Sequence, residues 1–191
     1  MRFALLLLLL PAACAGVRVV DRADDGTPIL LCGGQPDVDR LKELHARHGI
    51  RTVVSLRGER PEASWWRNEK AGVEAIGATW IHLPVSSHEA VPPETRGAFF
   101  DLVEDRANWP LYVHCESGIH RAGLVCGLYR MQYQGWTAER AIAEMRKNGF
   151  DLRCDSPAAK AFLRGSRPDP GRAIDSRPRP ACPRSGNSRG S

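Results

Sequence analysis

Residues 111–133 read LYVHCESGIHRAGLVCGLYRMQY, and this stretch decides how the chain folds around its most reactive side chains. It opens on a short apolar run that is typical of a buried strand, and the apolar residues from 124 to 133 indicate a helix. Between them, Arg121 lies six positions after Cys115, with His114 before the cysteine and Gly118 inside the interval. The sequence therefore predicts a strand-to-helix turn that carries a cysteine and an arginine.

Such a turn has the properties of an anion-binding site. Backbone N–H groups at the start of a helix point to one place, where the helix dipole also favours negative charge. A cysteine held there is shifted toward its thiolate, and the guanidinium of Arg121 offers a planar fork for two phosphate oxygens. We interpret the segment as a phosphate cradle with Cys115 as nucleophile; an inert buried cysteine is the alternative.

A rhodanese-like sulfur transferase is another interpretation, because such enzymes also place a cysteine loop before a helix. That resemblance implies a shorter loop, with the arginine or lysine nearer the cysteine. The five residues between Cys115 and Arg121 favour phosphate instead.

The segments around the motif alternate between strand and helix patterns. This alternation predicts an α/β fold with a small, largely parallel central sheet flanked by helices on both faces. Thr137 and Ser156 are typical N-cap residues for the last two helices. Strands are predicted at 28–32, 50–56, 79–83 and 111–114, and helices at 37–48, 63–76, 94–104, 124–133, 137–147 and 157–163.

The N-terminal residues 1–15 have the pattern of a secretory signal peptide. Arg2 precedes an apolar run that is too short to span a bilayer comfortably, and small residues follow it. Cleavage among those small residues would release a soluble protein; alternatively, Cys14 is the acceptor of a lipid anchor. We expect a bacterial protein that is exported to the periplasm or anchored to the membrane as a lipoprotein.

The C-terminal residues 165–191 are rich in Pro, Arg, Gly and Ser, which predicts a disordered basic tail and leaves 16–164 as one catalytic domain. From Arg164 onward, seven arginines stand against two aspartates, which accounts for the whole net charge of +5. The basic character therefore belongs to the tail, and we expect no nucleic-acid partner. A solvated extension is the simplest interpretation, and contact with an anionic lipid or polymer is the alternative.

The cysteines and histidines predict neither a metal site nor a cofactor. The six cysteines include no CxxC pair and no close Cys/His cluster. Cys126 falls in the apolar helix after the motif and is expected in the core. In an oxidising compartment Cys32, Cys126, Cys154 and Cys182 are candidates for disulfides, and their pairing stays open.

Several short segments carry a resemblance to a known family: GGQP at 33–36, GIRTVVSLR at 49–57, HCESGIHRAG at 114–123, and GW at 135–136. They resemble the cysteine-dependent tyrosine and dual-specificity phosphatase superfamily, especially the exported bacterial enzymes and the atypical plant-and-fungal type. The similarity spans about residues 28–148. It implies a small α/β domain with the nucleophile loop at the C-terminal end of a strand. It also implies a hydrolase that dephosphorylates phosphotyrosine, phosphoserine, phosphothreonine or similar monoesters.

The resemblance further implies a role for each residue of the motif. Cys115 would attack phosphorus to give a phosphocysteine, which water then hydrolyses without a metal. Arg121 and the loop N–H groups would stabilise charge on the equatorial oxygens. His114 would act indirectly, by hydrogen bonding near Cys115. The substrate-binding loop comprises Glu116, Ser117, Gly118, Ile119, His120 and Arg121.

Two positions depart from the family's pattern. Ser or Thr usually follows the arginine and helps the thiolate leave the intermediate, whereas this chain has Ala122; we therefore predict slow phosphocysteine hydrolysis. The family's general acid is usually an aspartate on a loop before the cysteine, but residues 84–93 contain none. His88 and Glu89 are the candidate acids, with two solvated loop residues as the alternative, and Asp101 ranks below them.

The loop also bears on the substrate. Relatives that act on inositol phosphates tend to carry lysines inside the loop, whereas Glu116 and Ile119 here favour a monoester such as phosphotyrosine. Arg57, at the end of a strand, is expected either as a second anion contact or as an ordinary surface arginine. We expect a monomer that acts on a phosphorylated protein or a small phosphate monoester. A catalytically weak phosphate-binding pseudophosphatase is the alternative function.

Overall fold

A five-stranded sheet forms the centre of the protein, whose computed structural model describes residues 16–150 and 156–174. The strand order is β1-β2-β5-β3-β4, in which β2, β5, β3 and β4 are parallel and β1 is antiparallel to β2. This arrangement confirms the predicted α/β fold. The strands are β1 (Arg18–Arg22), β2 (Pro28–Gly33), β3 (Thr52–Ser55), β4 (Thr79–His82) and β5 (Leu111–His114).

Six helices surround the sheet in the described part of the chain, and each predicted helix is present within three residues of its expected bounds. Thr137 caps one of them by accepting a hydrogen bond from the backbone N–H of Arg140, and Ser156 caps another in the same way. The helices are α1 (Val38–His48), α2 (Ser64–Ala75), α3 (Pro93–Glu104), α4 (Arg121–Gln134), α5 (Ala138–Lys147) and α6 (Pro157–Gly165).

Alternation along each strand divides the core into two layers. On β5, Leu111 and Val113 belong to the larger cluster, which α3, α4, α5 and α6 cover, whereas Tyr112 points to the opposite face. That opposite face holds a smaller cluster under α1 and α2. Side chains on a strand point alternately to either face, so a strand buried on both sides reads as a continuous apolar run. β5 lies in the middle of the sheet, and its C-terminal end is therefore surrounded by other elements.

Two features differ from the sequence predictions. β1 was not predicted, since a five-residue segment with arginine at both ends carries little strand pattern. The predicted disordered tail begins too early, because residues 166–174 pack against the domain. Ile174 is buried at 2% exposure, and Arg172 forms ion pairs with Asp101 and Glu104 on α3. The predicted signal segment 1–15 and residues 175–191 lie outside the described residues.

Among the residues described, no helix is long and apolar enough to cross a membrane. In the same part of the chain, no group of three or more His, Cys, Asp or Glu side chains is arranged to hold a metal ion. Cys32, Cys115 and Cys126 are free and buried. Cys154 and Cys182, the other candidates for disulfides, lie outside the described residues.

Candidate active site

The motif forms a loop between the central strand β5 and helix α4, as the sequence predicts. The helix begins at Arg121, three residues before the apolar run that indicated it. Within the described part of the chain, the backbone N–H groups of Glu116, Ser117, Gly118 and His120 have no protein acceptor. Free N–H groups at the start of a helix form an anion-binding concavity. These N–H groups are therefore available to an anion in the loop.

Glycines allow this loop to lie directly against the end of β2. Gly118 has φ +75°, and a Cβ there would approach the carbonyl carbon of Gly33 to 2.4 Å and the nitrogen of Gly34 to 2.5 Å. Both the backbone angle and the contact therefore require glycine. The backbone N–H of Gln35 donates to the carbonyl oxygen of Glu116 at 3.0 Å, which ties the two segments together.

The two principal residues of the motif lie at opposite ends of this loop. Cys115 is buried at 1% exposure directly after β5. Arg121 begins α4 with its side chain 19% exposed and donates to the carbonyl oxygen of Leu56 at 3.5 Å. The guanidinium is thus held from the β3 side while its remaining N–H groups stay available for an anion.

Arg57 joins Arg121 beside the loop. Its guanidinium lies 3.7 Å from the ring centroid of Trp65 and donates to the side-chain oxygen of Gln35 at 2.9 Å. The exposed carboxylate of Glu116 lies 3.7 Å from Arg57 and 3.9 Å from Arg121. Partial burial lowers the pKa of Arg57, and the neighbouring Arg121 lowers it further. The two arginines therefore form one positive cluster that already holds a carboxylate.

A buried network that the sequence analysis missed lies behind the loop. Glu69 on α2 is fully buried, and its carboxylate accepts hydrogen bonds from His114 at 2.8 Å, Trp80 at 2.7 Å and Gln35 at 2.6 Å. Burial raises the pKa of Glu69, but these hydrogen bonds outweigh it, so the net shift is downward. The available signal was a charge on the buried stripe of α2, next to Gly72 and Val73 in the helical repeat.

The two candidate acids, His88 and Glu89, are both exposed in the loop before α3. Burial lowers the pKa of His120, and the nearby charges of Arg121 and His88 lower it further. His88 is therefore close enough to act electrostatically on the phosphate loop. Glu89 has no hydrogen bond or ion pair with any residue that the structure describes. Asp101 instead forms its ion pair with Arg172 at 2.8 Å.

The remaining loop residues have structural partners. The hydroxyl of Ser117 accepts from the backbone N–H of Ile119 at 3.3 Å, and Ile119 is buried in the core. The ring of His120 stacks on Phe150 with centroids 5.2 Å apart. Ala122 is completely buried, so a methyl group occupies the place of the family's hydroxyl.

These features define an α/β fold of the tyrosine-phosphatase type, with a cysteine and an arginine in the loop after its central strand. A family model described as "DSP-PTPase phosphatase fused to NAD+ Kinase" matches residues 19–167, so the chain belongs to that family. This match confirms the predicted resemblance to dual-specificity phosphatases.

Individual relatives of the chain are also phosphatases. The dual specificity protein phosphatase TpbA of Pseudomonas aeruginosa is 30% identical over 140 residues, which are 73% of this chain and 60% of that protein. A crystal structure of P. aeruginosa TpbA in complex with phosphotyrosine matches at 24% identity with a TM-score of 0.59, covering 72% of this chain and 79% of that one.

A second solved structure extends the similarity of fold to a yeast enzyme. It is the core catalytic domain of the PP-IP phosphatase SIW14 from Saccharomyces cerevisiae in complex with citrate. This domain matches at 20% identity with a TM-score of 0.62, covering 72% of this chain and 80% of that one. The chain spans about 60% of the length of the curated TpbA relatives.

Proposed function

We propose that this chain is a cysteine-dependent phosphatase that hydrolyses phosphate monoesters through a phosphocysteine. The observation that carries the proposal is the loop from Cys115 to Arg121, where unpaired backbone N–H groups and a guanidinium gather after the central strand. Such an arrangement stabilises charge on a phosphoryl group during transfer. Membership of a phosphatase family supports the same assignment.

The reaction would proceed in two displacements. In the first, the Cys115 thiolate attacks phosphorus, the bond to the leaving oxygen breaks, and an acid donates a proton to that oxygen. In the second, water attacks the phosphocysteine and loses a proton, the P–S bond breaks, and phosphate leaves with the thiolate restored. Arg121 and the loop N–H groups hold the equatorial oxygens in both steps.

We assign the acid to His88 in preference to Glu89. The charge of His88 lowers the pKa of His120 in the loop, and the charge of Glu89 has no such effect on it. A general acid must come within hydrogen-bonding reach of the leaving oxygen, and an exposed loop residue can close that distance when substrate binds. After the first step, the neutral imidazole would accept the proton of the attacking water.

An aryl phosphate such as phosphotyrosine is the proposed substrate class. Arg57 would supply a second anion contact, because its guanidinium already shares the carboxylate of Glu116 with Arg121. Trp65 lies against Arg57 and adds an aromatic surface beside the loop. The relative TpbA has been crystallised with phosphotyrosine, which supports this choice.

The cellular setting follows from the N-terminal pattern. We propose that residues 1–15 direct export, with Cys14 as the acceptor if the signal is of the lipoprotein type. The mature protein would then act as a monomer in the periplasm or at the membrane. Mass spectrometry of the mature N-terminus distinguishes simple cleavage from lipidation.

A catalytically weak phosphate-binding protein is the second candidate. Two observations favour it, namely the absence of a hydroxyl at Ala122 and the absence of aspartate from residues 84–93. Such a protein would bind phosphate in the same loop, but its turnover would be slow or absent.

Phosphate release from phosphotyrosine and from p-nitrophenyl phosphate, under reducing conditions, separates these candidates. We expect turnover by the wild-type chain and none by Cys115→Ser. Cys126→Ser is the matched control, since it makes the same change at a buried cysteine in α4, and it should retain activity. Phosphate binding without turnover in the wild type would favour the weak binder, and equal activity in Cys115→Ser would overturn the mechanism.

A further inference from the structure

The buried carboxylate of Glu69 joins two parts of the site that are distant in the sequence. One oxygen accepts from the Nε2 of His114 at 2.8 Å and from the indole of Trp80 at 2.7 Å, and the other accepts from the amide of Gln35 at 2.6 Å. Glu69 and His114 are both 0% exposed. A carboxylate buried this deeply stays charged only when hydrogen bonds and opposite charges compensate for its lost hydration.

Each ring nitrogen of His114 has an oxygen acceptor beside it. Its Nε2 faces the Glu69 carboxylate, and its Nδ1 faces the carbonyl oxygen of Cys115 at 3.3 Å. A carbonyl oxygen only accepts, and so does an ionised carboxylate. A ring with hydrogen on both nitrogens, which is an imidazolium, would satisfy both contacts.

Gln35 extends the network to the arginine beside the loop, and its neighbours fix the orientation of its amide. The nitrogen must face the carboxylate of Glu69, and the oxygen must face the guanidinium of Arg57, which donates to it at 2.9 Å. The backbone N–H of Gln35 also donates to Glu116 at 3.0 Å. A continuous hydrogen-bonded chain thus runs from Arg57 through Gln35 and Glu69 to His114.

We infer that Glu69 is a positioning residue, which holds His114 as an imidazolium next to Cys115 and, through Gln35, fixes Arg57 beside the same loop. The inference rests on the proposed function, because it explains how the nucleophile is kept as an anion. The positive charge of His114, one residue before Cys115, favours the thiolate form. Glu69 touches neither substrate nor the reacting atoms and acts through His114.

Four other titratable or charged groups face this pair. Burial lowers the pKa of His82 on β4 and raises the pKa of Tyr112 on β5, so both stay neutral near pH 7. Arg57 stays positive and lies within electrostatic range of the carboxylate of Glu69. Cys115 is the fourth. The negative charge of Glu69 is therefore balanced by His114 and Arg57. Removing that charge should weaken the hold on both residues.

Nitrogen NMR of the wild-type chain labelled with ¹⁵N-histidine tests the inference without any turnover. The signals of His114 are assigned by their loss in His114→Asn. We expect both ring nitrogens to be protonated at pH 7, where a solvated histidine is mostly neutral. A neutral tautomer of His114 at pH 7 would overturn the inference even if the chain is an active phosphatase.

Alkylation of Cys115 by iodoacetamide as a function of pH provides the second test. In Glu69→Gln, the pH midpoint of alkylation should rise by about one unit, so the rate below the midpoint should fall by about tenfold. The matched control is Glu74→Gln, an exposed position on the same helix, which should keep the wild-type midpoint. Folding of each variant is checked by its thermal melt.

The double variant Glu69→Gln/His114→Asn separates a positioning role from a purely structural one. If Glu69 acts through His114, the double variant should have the same alkylation midpoint as His114→Asn alone. A folded Glu69→Gln protein with an unchanged midpoint would contradict the inference. The proposed function fails separately, if wild-type protein with a normal alkylation profile releases no phosphate.

Discussion

Ala122 places a buried methyl group directly after the arginine of the phosphate loop. The phosphocysteine can be broken only when the thiolate leaves, and a hydroxyl at this position would donate a hydrogen bond to the developing charge. A hydrogen bond to a charged group contributes about 1.5–3 kcal/mol. Its absence makes the second displacement the slow step in our account.

The variant Ala122→Ser should therefore be faster than the wild type. We expect kcat to rise by about tenfold, because a gain of about 1.4 kcal/mol in the transition state corresponds to that factor. Rapid-quench kinetics should also show a smaller burst, since less phosphocysteine accumulates. Ala71→Ser on the exposed side of α2 is the matched control. An unchanged kcat in Ala122→Ser would place the slow step elsewhere.

At the same scale, sequence reasoning found the residues whose spacing is local and missed those that meet only in three dimensions. Cys115, Gly118 and Arg121 were predictable because one loop carries all of them. Glu69 and Gln35 were not, because they lie on other elements: Glu69 on α2 contacts His114, and Gln35 follows β2, which lies next to β5. Glu69 is separated from His114 by 45 residues in the sequence and from Gln35 by 34.

Among the elements, the loop before α3 supplies the acid of the first displacement in our proposal. Its two candidate acids are neighbours in the sequence, but only His88 acts electrostatically on His120. An acid that donates to the leaving oxygen contributes about 10²- to 10⁴-fold, and it matters most when the leaving group is poor.

His88→Ala should therefore lower kcat/KM, which reports the first displacement, by about 10²-fold with phenyl phosphate and by much less with p-nitrophenyl phosphate. Activity must also fall as pH rises through the titration of the acid, and this limb of the pH profile should disappear in the variant. Glu89→Ala is the matched control and should retain both properties. If Glu89→Ala loses them instead, Glu89 is the acid, and if neither variant changes, the loop supplies no acid.

Helices and central strands were predictable because their apolar periodicity is strong, whereas the edge of the sheet was not. β1 has one buried residue, Val20, among partly exposed or charged neighbours. It pairs with β2 with two irregularities in register. A short edge strand of this kind is specified by its neighbour in the sheet more than by its own sequence.

For the molecule as a whole, the composition of the C-terminal segment was misleading between residues 166 and 174. Arginine and proline suggested a solvated tail, yet Arg172 and Ile174 pack against α3 and the core. A charged residue with two acidic partners distant in the sequence cannot be distinguished from a solvated one by composition. The domain therefore continues beyond the expected boundary at residue 164.

The buried histidines give the whole fold a characteristic dependence on pH. Burial lowers the pKa of His82 and of His120 below the ordinary value of 6.5. The unfolded chain then binds more protons than the folded one, so their contribution to stability is complete above pH 6.5 and is lost as pH falls. Both ring nitrogens of His82 are buried between Trp66 and Trp80 and have no hydrogen-bond partner among the described residues.

We expect His82→Phe to reduce this dependence. Phenylalanine keeps a ring between the two tryptophans but cannot be protonated, so the loss of unfolding free energy between pH 7 and about pH 5 should be smaller than in the wild type. Urea unfolding at several pH values measures it. An identical pH dependence in the variant would mean that His82 does not titrate on unfolding in this range.

The most direct test of the central claim is acid quenching of the wild-type chain during its reaction with p-nitrophenyl phosphate, followed by mass spectrometry of the peptide that contains Cys115. Our account predicts a burst of nitrophenol of about one equivalent per active site, together with covalent phosphate on Cys115. The phosphate should be absent from Cys115→Ser. Turnover without a covalent phosphate on Cys115 at any time point would contradict the account.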